Sequence, residues 1–297
     1  MSTPTETAGG GASETGGSVD LTSNTFLGDV WVNYKRWNLK AVRNPFVLVV
    51  SLVQPVIFLV LFTQVFGGVV EGTLRGPAGG LNYETYLAPA IAIQVAIAAA
   101  VTSGVGLVND IENGMFEKVL VSPMNRTAMF LGKTLAEVTR IAAQIVIILV
   151  LSVALGAEIV TGIPGALGIV GVGVLFSLSF AAFSNSLAVL TRDQESTIIG
   201  ANLLQFPLLF LSSAFIPLET LPGWIQTFAA VNPVTYAVDA ARAIMLDRDV
   251  ITVLDVPGLE GTAHTVVPAV AILVALAVVL GGIAVFLLSR ASSSDVK

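Results

Sequence analysis

The sequence predicts an all-α, polytopic integral membrane protein with about six transmembrane helices, and three observations predict it. Charge is scarce: 11% of the 297 residues are charged and 55% are hydrophobic, with a mean hydropathy of +0.86, whereas a soluble domain carries roughly 25% charged residues. The apolar residues come in blocks long enough to cross a hydrocarbon core of ~30 Å at ~1.5 Å per residue. Basic residues are segregated between alternate connections, as the positive-inside rule requires of an oriented membrane protein.

In chain order, residues 1–24 are rich in Gly, Ser, Thr, Glu and Ala, contain no apolar run, and read as a disordered cytoplasmic tail rather than a signal peptide. A transmembrane domain over residues 25–290 follows. Residues 25–43 place Leu27, Val30, Trp31, Tyr34 and Ala41 on one helical face, with Lys35, Arg36, Lys40 and Arg43 nearby. This pattern predicts an amphipathic helix, either lying at the inner interface or simply leading into the first span. The first span is expected over 46–66, opened by Pro45 where a missing N–H costs nothing. The second, over 86–108, carries Ala88, Ala92, Ala96, Ala100 and Gly104 at every fourth position, a stripe that lets another helix approach closely.

The third span, 135–157, begins with Glu137 and Arg140 on one face. A charge at a helix centre costs ~2.5–3.5 kcal/mol, so both are expected near the inner surface, pairing or snorkelling. The fourth, fifth and sixth spans are expected over 165–190, 197–217 and 266–289, with a cytoplasmic tail over 291–297. In the long connection before the last span, Pro222 and Asn232-Pro233 mark helix starts, and Ala237, Ala241, Ile244 and Met245 form an apolar stripe.

Six spans put both termini on one side. Lys35, Arg36, Lys40, Arg43, Lys118, Arg126, Lys133, Arg140, Arg192, Arg290 and Lys297 then share that side, leaving Arg75, Arg242 and Arg248 of the 14 basic residues opposite. Both termini are therefore expected in the cytoplasm. A net charge of −6 argues against nucleic acid as a partner. With no cysteine and the single histidine His264, neither disulfides nor a zinc site are expected, and His264 reads as a solvated residue at the outer mouth.

No segment carries covalent chemistry. Gly132-Lys133-Thr134 mimics the end of a phosphate-binding loop, but Thr127 stands where the pattern needs glycine, and a membrane helix opens where it needs a strand. The chain is therefore expected to bind no cofactor and to hydrolyse no ATP unaided. Asn125-Arg126-Thr127 matches a glycosylation acceptor, but the expected topology puts it inside, unmodified. Polar residues inside spans, Gln54, Gln94, Gln144, Asn185, Asn202 and Gln205, mark interhelical contacts or a substrate pathway, with contacts the stronger reading. Between the second and third spans, Ile111, Met115 and Val119 recur every fourth residue beside Phe116 and Leu120, and Pro123 stops the run. That is a short amphipathic helix, suited to docking in a groove of a soluble partner or to lying flat on the membrane.

The cytoplasmic run Glu112-Asn-Gly-Met-Phe-Glu117, then Ser122-Pro-Met-Asn-Arg126 and Gly132-Lys133, resembles the signature of ABC type-2 transporter permeases in the drug- and polysaccharide-exporter branch. Phe206-Pro207, Phe215-Ile-Pro217, Leu221-Pro-Gly-Trp224, Asn232-Pro233 and Ala241-Arg242 follow in that family's order. The resemblance implies a pair of permease subunits, most simply a homodimer, with two ABC ATPase subunits that carry ATP and Mg. It implies a coupling helix over about Asp110–Val121 that docks through Glu112, Gly114, Met115, Phe116 and Glu117, ending near Pro123. It also implies an outer re-entrant segment containing Pro222, Trp224, Asn232, Pro233 and Arg242. The implied cargo is a hydrophobic or amphipathic drug, lipid or lipid-linked glycan crossing the cell membrane. The main rival, an ion-gradient-driven secondary transporter, calls for acidic residues at mid-membrane, and only Glu137 comes near. An integral-membrane enzyme calls for clustered His, Asp or Glu at a membrane edge, and Asp247, Asp249 and Asp255 have no histidine closer in sequence than His264.

Overall fold

The computed structural model describes residues 26–43, 45–74, 81–114, 126–250 and 257–294. Among them the regular elements are helical: α1 Phe26–Arg43, α2 Pro45–Leu74, α3 Tyr83–Glu112, α4 Arg126–Ala154, α5 Gly162–Thr191, α6 Gln194–Phe210, α7 Gly223–Val231, α8 Pro233–Leu246 and α9 Thr262–Ser294, with one 3-10 turn at Leu218–Thr220. The helices start and stop where local chemistry dictates. Asn82 accepts the Thr85 amide at the start of α3 (3.1 Å), and Asp193 accepts the Ser196 amide at the start of α6 (2.7 Å). The Asp193 carboxyl is held below its ordinary value by those Ser196 hydrogen bonds. Gly114, at φ +60°, takes the left-handed conformation that stops α3.

α2, α3, α4, α5 and α9 are long and apolar enough to cross a membrane. α6 has only 17 residues, ~25 Å of helix, and the expected 197–217 span falls on it and on the irregular stretch after Phe210. Even so, its surroundings carry the chain from end to end. At its start, Gln194 meets Asn109 and Glu112 at the finish of α3, and past its finish Ser213 and Phe215 meet Tyr86 and Tyr83 at the beginning of α3. The Leu211 amide closes the last turn on the Pro207 carbonyl.

α3 lies at the centre, packed against α2, α4, α5, α6 and α8, and is buried nearly all round. A helix apolar on every face suits such a position. Around it, α2 and α9 turn Val53, Ile57, Leu61 and Val278, Val279, Val285 outward, as a lipid-facing surface requires. The small-residue stripe is buried as its spacing predicts, and its last member makes the tightest contact: a Cβ on Gly104 would lie 2.3 Å from Ser184 Oγ and 2.6 Å from the Ser184 carbonyl on α5. A Cβ on Gly173 of α5 would lie 2.6 Å from Ile145 of α4, so α4 and α5 also close up where glycine permits.

α1 packs on α4 with Val30 and Tyr34 of its expected apolar face at the contact and Asn33 beside them. A Cβ on Gly132 would collide with Asn33 Cβ and the Val30 carbonyl, Tyr34 OH lies 3.2 Å from Thr139 Oγ1, and Asp29 and Asn33 are buried. Leu27 and Trp31 of that face are exposed, the side an interfacial helix would turn to lipid. His264 differs from expectation. It sits buried in the first turn of α9, 2.8 Å from Asp249, because the chain after α8 folds back over that turn and Val250 donates to Thr265.

Gly104→Ala is expected to lower stability by about 1–3 kcal/mol, the usual cost of overpacking a tight contact. Gly171→Ala, whose Cβ meets nothing within 4 Å, is expected to be neutral or mildly stabilising. Thermal unfolding of the two purified variants in detergent checks the contrast.

Candidate functional site

Lys133, Glu137, Arg140 and Gln144 follow one another on α4 at intervals of four, three and four residues, which puts them on one face. The stripe climbs ~16 Å from the end of the bundle where α3 finishes. Each member finds a partner on a neighbouring helix. Lys133 pairs with Asp110 of α3 and lies 5.4 Å above the Trp37 ring of α1. Glu137 accepts from Ser103 (3.0 Å), whose hydroxyl also lies 3.4 Å from Asn185 Oδ1 on α5. Arg140 donates to Thr102 (2.6 Å) and Gln144 to Ser51 of α2 (2.6 Å). Glu137 and Arg140, expected to pair or snorkel, thus take hydroxyl partners on α3. A cavity of about 280 Å³ opens against this stripe, closed by Trp37 and Ala41 of α1, Ser51 of α2 and Ala98, Ala99 and Thr102 of α3.

The other expected polar residues scatter. Gln54 is exposed and Asn202 half-buried. Gln94 is 1% exposed, and neither of its amide atoms has a partner among the described residues; Gln205 Oε1 is likewise buried without one. Of the six, Gln144 and Asn185 join the network around the stripe. Sequence reasoning missed Ser103 and Thr102, adjacent hydroxyls on α3 that read as ordinary membrane-helix residues. Their only signal is placement about two turns before Asp110.

At the finish of α3, Glu112 accepts from Gln194 (2.7 Å) and Gly114 turns the chain out of the helix. Met115, Phe116, Glu117 and Pro123 lie outside the described residues. The segment they belong to leaves the most enclosed helix and returns into α4, whose Gly132 and Lys133 are the points at which α1 and Asp110 seat on it.

The opposite end holds a second polar centre. Arg242 of α8 is 3% exposed and Asp239, one turn before it, 1%. The guanidinium donates to the carbonyls of Tyr86 (3.2 Å) and Ser213 (3.1 Å), stacks 3.7 Å from the Tyr86 ring centroid and lies 3.5 Å from Asp239, which accepts from Ser213 Oγ (2.7 Å). Asn232 caps two helices at once: its oxygen accepts the Val234 amide opening α8, with Pro233 in the first turn, while its nitrogen donates to the Leu208 and Leu211 carbonyls where α6 stops. Pro222 precedes α7, on which Trp224 is exposed. The sequence marked Asn232, Pro233 and Arg242; Asp239 and Tyr86 carried no signal of their own.

A family model described as ABC-2 type transporter matches residues 28–246. The chain is similar to a daunorubicin resistance ABC transporter permease protein of Streptomyces coeruleorubidus, 28% identical over 201 residues, 68% of this chain and 69% of the relative. It is also similar to a probable doxorubicin resistance ABC transporter permease protein of Mycobacterium tuberculosis, 26% identical over 227 residues, 76% and 80% of the two chains. A probable multidrug ABC transporter permease of Escherichia coli is 26% identical over 168 residues, 56% and 45%.

Removing one member of a buried ion pair costs about 3–5 kcal/mol. Arg242→Ala is expected to lose that much, and Arg242→Ala with Asp239→Ala to regain part of it. Thermal unfolding of the purified variants reads both.

Proposed function

The chain belongs to the ABC-2 type transporter family and is a multi-pass membrane permease of an ABC exporter, and from that premise we propose how it is driven and what it moves. Family membership implies partnership with an ABC ATPase. On our reading two permease chains form a homodimer in the cell membrane, with both termini cytoplasmic, and two ATPase subunits bind below them and hold ATP and Mg. This chain supplies no nucleotide site of its own. Its cargo is a hydrophobic or amphipathic drug, in keeping with the drug-resistance names of its relatives.

The observation that carries the coupling mechanism is the position of residues 115–125 between the finish of α3 and the start of α4. A helix enclosed on all sides cannot shift without moving its neighbours, because packed interiors deform little. A push at this segment therefore enters the core directly. ATP binding draws the ATPase subunits together, Glu112, Gly114, Met115, Phe116 and Glu117 take the displacement, with Pro123 ending the docking helix, and α3 and α4 tilt together through the Lys133–Asp110 pair. The tilt changes the cavity along the polar stripe and, through α3, the Tyr86–Arg242 contact at the far end. There the segment holding Pro222, Trp224, Asn232 and Pro233 acts as the outer closure of the path.

Phe116→Ala is expected to reduce recovery of the ATPase on purified permease by at least about tenfold and to abolish transport-coupled ATP hydrolysis in vesicles. Unchanged recovery and hydrolysis would remove the docking assignment. A reporter fused after Lys297 is expected to be active only in the cytoplasm.

A further inference from the structure

Helix α1 has two unlike halves. Val30, Asn33, Tyr34, Trp37 and Ala41 face the bundle, where the close approach to Gly132 and the Trp37 ring beside Lys133 fix how the helix is rotated. The other half is uncovered. At ~100° per residue, Leu27, Trp31 and Val42 share its middle, Val32 and Leu39 come next around the cylinder, and Arg36 and Arg43 form one edge. Trp31 is 63% exposed and Val42 75%. Lys35, between Trp31 and Leu39 around the helix, is exposed, as are Arg36 and Arg43, and none of the three has an ion-pair partner among the described residues. Charge on this half has one sign, in a chain with 20 acidic residues against 14 basic. Asp29 is the single carboxylate of α1, and it is buried. The helix thus withholds its acid and displays its bases. Arg43 closes α1 shortly before Val49, where the first apolar crossing segment begins, so the bases stand where headgroups meet hydrocarbon.

We propose that the uncovered half of α1 is a docking surface for anionic phospholipid of the surrounding bilayer. Leu27, Trp31 and Val42 enter the acyl boundary, Arg36 and Arg43 take headgroup phosphates along the edge, and Lys35 reaches the same level by extending its stem. A zwitterionic headgroup brings each base a phosphate together with a competing ammonium, whereas an anionic one brings the phosphate alone. The layout separates lipid from a soluble acidic partner. A protein interface rings its apolar core with polar residues, but here the two arginines line one edge only, as on a helix lying at a lipid surface. The inference goes beyond the exporter reading and rests only on the chain being a multi-pass membrane protein.

The purified full-length protein, without ATPase, is reconstituted in equimolar phosphatidylcholine and phosphatidylglycerol vesicles in which one lipid or the other is brominated on its acyl chains. Quenching of Trp31 is read as the difference between the unsubstituted protein and Trp31→Phe. Brominated phosphatidylglycerol is expected to quench Trp31 as though enriched at least about fivefold over brominated phosphatidylcholine, the factor that one base near an anionic surface is worth. Raising the salt about tenfold, from roughly 0.05 M, is expected to bring the enrichment below about twofold, because screening shortens the reach of each base. Lys35→Gln with Arg36→Gln and Arg43→Gln is expected to do the same at low salt, and the salt series decides the matter if that variant does not fold. Equal quenching by the two lipids would overturn the proposal, as would quenching by neither, or an enrichment indifferent to salt or to removal of the bases. Equal quenching joined to loss of ATPase recovery in the triple variant would give the surface to the ATPase and overturn the proposal too. Since the vesicles hold no ATPase, absence of lipid preference leaves the exporter reading standing, and that reading falls or stands on the Phe116→Ala measurement.

Discussion

Everything at the end where α3 begins depends on one guanidinium that water does not reach. A chain that breaks its helix in a buried place must satisfy the freed carbonyls from within the protein. After α6 the backbone does break, over residues 211–217, and Arg242 reaches back from α8 to collect the Ser213 carbonyl together with that of Tyr86. Asn232 performs the same service for Leu208 and Leu211. Without these two side chains the Leu208, Leu211 and Ser213 carbonyls where α6 ends lose their side-chain partners.

The centre of the bundle is organised by size instead of polarity. Glycine and alanine on α3 bring α5 to backbone contact at Gly104 and Ser184, and Gly173 lets α4 close on α5. Lipid tails are as apolar as leucine, so such close packing, and not exclusion from water, is what holds helices together in a bilayer. Rods in such close contact cannot shift independently of one another, because packed interiors deform little.

The helices were legible because hydropathy and length speak directly to a membrane, and the small-residue stripe of α3 because its spacing is regular. What could not be read was pairing across helices. Glu137 and Arg140 are bonded by Ser103 and Thr102 on α3; nothing within α4 encodes which neighbour faces it. The partner of Arg242 was hidden for the same reason, since Tyr86 lies 156 residues away. The 197–217 span was drawn by hydropathy, which does not register that Asn232 and Arg242 make an earlier helix end tolerable. His264 looked solvated because the fold-back that covers it with Asp249 is set by tertiary structure. The secondary-transporter alternative finds no support among the relatives, which are described as ABC transporter permeases.

The α4 stripe also bears on how the cell's voltage acts on the molecule. One elementary charge carried across 100 mV is worth ~2.3 kcal/mol, which is how voltage sensors do their work. Glu137 and Arg140 ride on the same rod less than one turn apart, so the field does almost no net work on this pair when the rod shifts. Lys133, the remaining charge of the stripe, is offset by Asp110 on α3, so the stripe as a whole presents almost no net charge to the field when the two helices shift together.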